Sequence, residues 1–104
     1  MQVPVQITYR NMASSAALDE AVRDRVAKLE QFYARPISCR VVIEQPARHQ
    51  RRGKEFVVHV ELTVPGSEIA VNRGHHEDVY VALRDTFDAA RRRLEDFART
   101  QRGD

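Results

Sequence analysis

The sequence has no tryptophan and one cysteine, Cys39. A single thiol excludes the internal disulfide framework of small secreted domains and suits a reducing compartment. Glycine and proline are sparse, four of each in 104 residues. The glycines are scattered, so no Gly-rich phosphate loop is present, and no internal repeat, low-complexity tract or linker appears. No run approaches the ~18 apolar residues of a membrane span. Residues 1–9 lack a basic region followed by an unbroken apolar stretch. The expectation is a soluble, cytoplasmic protein with no membrane partner. Excess charge of one sign is lacking too, since the net charge is +2, yet the pI near 9.0 reflects basic side chains crowded into a few places. Local positive patches on a nearly neutral chain point to an anionic partner, of which nucleic acid is the commonest.

What is present describes an ordinary globular chain, 42% hydrophobic and 31% charged. It is most simply one domain over 1–104, with 101–104 as a frayed tail, and is large enough to bury roughly two thirds of its unfolded surface. Its longest periodic stretch is 78–100. There Leu83, Phe87, Ala90, Leu94 and Phe97 recur in steps of three and four, one apolar stripe of an α-helix. Before it, Val3, Val5, Ile7 and Tyr9 alternate with polar residues as a strand that Pro4 starts or confines to an edge. Arg10-Asn11-Met12 turns the chain. Ser15 is placed to cap a helix from Ala16 to about Tyr33, with Leu18, Val22, Val26, Leu29 and Tyr33 buried and Pro36 closing it. Cys39, Val41 and Ile43 mark a second strand ending at Pro46, and alternation over 56–64 marks a third. Pro65-Gly66-Ser67 is a tight turn. Ile69 and Val71 face inward in a short fourth strand over 68–72, after which 73–77 leads into the last helix.

The resulting order, β-α-β-β-β-α, predicts an α+β two-layer sandwich: a four-stranded sheet whose strands two to four form an antiparallel meander, with both helices on one face.

Catalytic patterns are weak. Cys39 falls on the apolar phase of its strand and reads as a buried, inert thiol. His75-His76-Glu77-Asp78 resembles a cluster, but adjacent residues at a helix start diverge and no zinc-ligand spacing is present. No serine sits in a nucleophile elbow. The chain reads as a non-enzyme without a catalytic residue, cofactor, metal site or small-molecule substrate; a protein-interaction or metal-dependent role for His75 and His76 ranks last and predicts metal in purified protein. The basic side chains carry more. Arg84, Arg91, Arg92, Arg93, Arg99 and Arg102 ring the exposed face of the last helix. Lys28 and Arg35, seven apart, lie on one flank of the first with Arg25 near it, and Arg48, Arg51, Arg52 and Lys54 crowd the loop between strands two and three. A bland alternative exists, because Arg84–Asp88, Asp88–Arg92, Arg91–Glu95 and Glu95–Arg99 are i, i+4 pairs suited to a solvated, salt-bridged helix. If both helices share one sheet face, however, their outer surfaces form a layer that can follow a phosphate backbone. The aromatic residues Phe32, Tyr33, Phe87 and Phe97 lie on or near the buried stripes, which favours phosphate and shape recognition over base stacking.

Three stretches, ITYRNMASSAAL (7–18), VAKLEQF (26–32) and DVYVAL (78–83, continuing into 88–94), make the chain resemble the ribosome hibernation promoting factor family, which includes a ribosome-associated inhibitor once called a sigma-54 modulation protein. The resemblance spans nearly the whole chain. It implies binding to the small ribosomal subunit in the channel used by mRNA and tRNA, with basic side chains of both helices against ribosomal RNA, Lys28 and Arg92 among them. It also implies a role in lowering translation or preserving idle ribosomes under stress or in stationary phase. Ala89, Asp96 and Ala98 stand where the family often has lysine, Arg91 and Arg93 are additional, and the 48–54 hairpin is unusually basic, as in a divergent bacterial branch. Some members carry a nucleic-acid-binding extension after this domain; the present sequence gives no support for ribosome dimerisation through one. A general RNA-binding or RNA-chaperone module is the alternative, since β-β-β-α resembles part of a double-stranded RNA-binding domain. Both a monomer and a weak homodimer fit the pattern of edge strands.

Overall fold

The computed structural model describes residues 4–32, 38–46 and 55–101. Its elements are β1 (Val5–Arg10), α1 (Ala16–Phe32), β2 (Ser38–Glu44), β3 (Phe56–Val64), β4 (Ser67–His76) and α2 (Val79–Gln101). The sheet order is β1-β2-β3-β4. β1 pairs parallel to β2, Ile7 opposite Val41, and β2, β3 and β4 are antiparallel. The sheet is thus mixed, with β2 and β3 in the middle and the Pro4-led β1 and the last meander strand β4 at its two edges.

Alternation explains the core. Val41, Ile43, Val58, Val60, Leu62 and Val64 point to one face and are almost wholly buried, meeting Leu18, Val22, Val26 and Leu29 from α1 and Leu83, Phe87, Ala90 and Leu94 from α2. Each such valine, leucine, isoleucine or phenylalanine contributes roughly 1.5 to 3 kcal/mol by leaving water. α2 lies mainly over β4 and β3, while α1 covers β1 and the flank of α2. Phe97 and the inward residues of β1, Val5, Ile7 and Tyr9, are only half-buried, at the border of the layer. Thr86 is the buried polar residue among those described, and its Oγ1 donates to the Ala82 carbonyl at 2.8 Å.

The ends of the elements have local causes. Ser15 caps α1, its Oγ accepting from the Leu18 N–H at 3.2 Å. Asn11 bridges β1 and α1 at φ 58°, a left-handed conformation that asparagine tolerates. Gly66 takes φ +80° in the two-residue turn between β3 and β4, with Val64 opposite Ser67. Asp78 caps α2, its Oδ1 accepting from the Tyr80 N–H at 2.9 Å.

Two boundaries differ from the sequence expectation. The fourth strand does not stop at Asn72; it continues to His76, so 73–76 belongs to the sheet and is no linker. The pairing passes from Val60↔Val71 to Val58↔Gly74, so β4 spends an extra residue between the two pairs. Such a bulge breaks the period of two by which the strand was recognised. The second difference is at α2, where Asp78 serves as cap and the helix itself starts at Val79. Val3, Tyr33 and Pro36 lie outside the described residues.

Candidate nucleic-acid interface

The crossover from β1 to β2 and the return after β4 lay α1 and α2 side by side, so that the last turns of α1 face the middle of α2. Between them opens a cleft of about 480 Å³ lined by Arg25, Lys28, Leu29, Gln31, Phe87, Asp88 and Arg91. Its floor is apolar and its rim carries three cations against one carboxylate. Lys28 and Arg91 are exposed and Arg25 half-buried, so an incoming anion meets them without displacing core. Arg91 is held toward its own helix by Glu95, Nη2 to Oε2 3.7 Å, a contact between solvated groups worth at most ~1 kcal/mol.

The remaining basic candidates divide. Arg84 lies on the same flank of α2 and bonds Asp85, its neighbour, at 3.0 Å. Arg92 and Arg93 instead line a smaller groove against β4 with Ala70, Val71, Asn72, Ala89 and Asp96. There Arg93 Nη1 donates to the Ala70 carbonyl at 3.2 Å, on the outer edge of the sheet. Arg99 pairs with Asp96, one turn back. Of the four i, i+4 pairs anticipated on α2, only Arg91–Glu95 is among the ion pairs described; Arg84 and Arg99 reach the nearer carboxylates of Asp85 and Asp96 instead. Arg35, Arg48, Arg51, Arg52, Lys54 and Arg102 lie outside the described residues. Sequence reasoning brought Arg25, Lys28 and Arg91 forward but missed Gln31, Asp88 and Phe87 as their cleft neighbours; the helical spacing of 84, 87, 88 and 91 carried that signal. It also passed over Tyr80, the large apolar side chain that stands exposed, at 48%, at the head of the same flank.

The described titratable groups with resolved contacts are spread over separate parts of the fold. Cys39 is buried, and burial pushes its thiol up to about 12, which keeps it protonated and unreactive. Tyr9 is likewise raised to about 12, first by burial and then by its 2.6 Å hydrogen bond to Asp19 Oδ1 and the charge of that carboxylate. His59, Glu61 and Arg40 meet on the sheet face away from the helices. His76 Nδ1 accepts from the Asp78 N–H at 2.9 Å, which fixes the turn into α2. No three His, Cys, Asp or Glu side chains converge on a metal position among the described residues. No described helix is long and apolar enough to cross a membrane.

Two solved structures share this architecture. A ribosomal subunit interface protein from Coxiella burnetii matches with a TM-score of 0.79 at 14% identity, over 92% of this chain and 98% of its own. The N-terminal domain of Protein Y from Thermus thermophilus matches with a TM-score of 0.76 at 18% identity, over 93% and 99%. At such identities the likeness concerns the fold. The sequence itself goes further: residues 5–102 match the model of the sigma 54 modulation protein / S30EA ribosomal protein family, and the chain that builds this two-helix cleft belongs to that family.

Proposed function

We propose that this protein is a ribosome-associated factor that binds the small ribosomal subunit through ribosomal RNA of the mRNA and tRNA channel. By occupying that channel it lowers translation or preserves idle ribosomes under stress or in stationary phase. The observation that carries this reading is the cleft between α1 and α2, where Arg25, Lys28 and Arg91 from two helices line one space. Guanidinium and ammonium groups so placed suit successive phosphates of a folded RNA, positioning the protein without reading sequence. Membership of the family and the shared fold of a ribosomal subunit interface protein support the same assignment. The mechanism is occupancy, so no bond is made or broken and no cofactor is needed.

Gradient sedimentation with separated subunits tests the proposal. The protein is expected to travel with the small subunit at low salt and to leave it as salt rises. Protein that stays at the top of the gradient, or that travels with the large subunit alone, contradicts it. A general RNA-binding module would bind free duplex RNA as tightly as ribosomes, which a parallel titration against duplex RNA separates.

A further inference from the structure

We infer that Tyr80 is a stacking platform for one unpaired base of the RNA whose phosphates follow the α2 flank beside the cleft. This deepens the ribosomal reading and rests on it.

Tyr80, Arg84, Phe87 and Arg91 are spaced four, three and four residues apart, which places them on one flank of α2. The flank runs about 16 Å from Tyr80 to Arg91 at 1.5 Å per residue. Phe87 is buried into the core and forms the floor, whereas Tyr80 keeps 48% of its surface exposed. An exposed ring in line with cations is the arrangement by which single strands are held, bases on aromatic faces and backbone on basic groups.

The backbone that carries the ring is anchored. The Tyr80 N–H is held by Asp78 Oδ1 at 2.9 Å, so Tyr80 stands in the first turn of a capped helix. Charge sets where the backbone of the bound strand lies. Glu77 and Asp78 precede Tyr80 and disfavour a phosphate there, while Arg84, Arg91 and Lys28 favour one farther along. The backbone therefore lies toward Arg91 and the base turns back onto Tyr80.

The absence of tryptophan from the sequence makes Tyr80→Trp a unique fluorescent reporter. A single-stranded oligoribonucleotide of about ten nucleotides is expected to quench it, and an abasic oligomer of equal length and charge to leave it bright. Tyr80→Ala should weaken binding to the small subunit roughly 5- to 150-fold, the equivalent of ~1 to 3 kcal/mol per stacked base. The salt slope should stay unchanged, because no phosphate contact is lost. Tyr80→Phe should bind like the parent. Small-subunit affinity within twofold of the parent for Tyr80→Ala overturns the inference and leaves the ribosomal function standing. Equal quenching by the abasic and intact oligomers also overturns it. Lost affinity without oligomer quenching assigns the ring to a protein contact and overturns it too. A parent protein that fails to bind ribosomes at low salt overturns the functional reading instead, and base-dependent quenching then decides Tyr80 by itself.

Discussion

Tyr9 shows how one side chain can join elements that the backbone leaves apart. Its ring packs against the core from the edge strand β1, and its hydroxyl reaches Asp19 on α1 at 2.6 Å. Tyr9→Phe should therefore cost ~0.5 to 1.5 kcal/mol of stability by urea denaturation, the usual contribution of one hydrogen bond. The same residue predicts a pH dependence. Tyr9 and Cys39 both hold their protons more tightly when folded, at about 12 against ordinary values of 10.0 and 9.0. The stability tied to them is complete below the unfolded pKa and is lost as pH climbs from there toward the folded value. Unfolding free energy should be flat near neutrality and decline above roughly pH 9, and in Tyr9→Phe the part of the decline above pH 10 should be shallower. A parent protein whose stability rises across that window would contradict the burial assigned to both groups.

Each helix divides between a face buried in the core and a face left exposed. Leu94 is fully buried in α2, and Leu94→Ala should cost ~2 to 5 kcal/mol, enough to threaten a total of only ~5 to 15; a thermal melt followed by circular dichroism reads this directly. The arginines of the same helix should not behave alike. Arg91→Ala should flatten the salt dependence of ribosome binding by about one phosphate's worth, 0.7 to 0.9. Arg93→Ala should leave that slope unchanged, because its guanidinium is engaged on the Ala70 carbonyl of β4. Equal slopes for the two variants would contradict the division of flanks. Elements were legible in the sequence wherever their period was unbroken: β3 and the stripe of α2 follow from alternation and from three-four spacing alone. The end of β4 was not, because the bulge near Asn72 shifts the pattern while the pairing continues to His76. Nor was the parallel pairing of β1, which depends on where α1 carries the chain and not on any local signal. For the site, spacing identified Arg25, Lys28 and Arg91 as outward residues. That they share one cleft, and that Arg93 turns away to the sheet edge, depends on packing between elements distant in sequence.

In the molecule as a whole, the sheet builds one core face and the helices covering it place their exposed flanks side by side. The net charge of +2 would attract little by itself; the geometry matters because it gathers three cations against one carboxylate in a single cleft. If RNA phosphates fill that cleft, the measurement that decides is small-subunit affinity across a salt series, for the parent and for the variant Arg25→Ala, Lys28→Ala, Arg91→Ala. Log affinity should fall linearly with log salt in the parent, and the triple variant should bind more weakly with a slope flatter by about two to three. All three side chains lie at the surface or its border, so the variant should remain folded with the parent's circular dichroism. A folded variant that matches the parent in affinity and slope at every salt concentration would contradict the account.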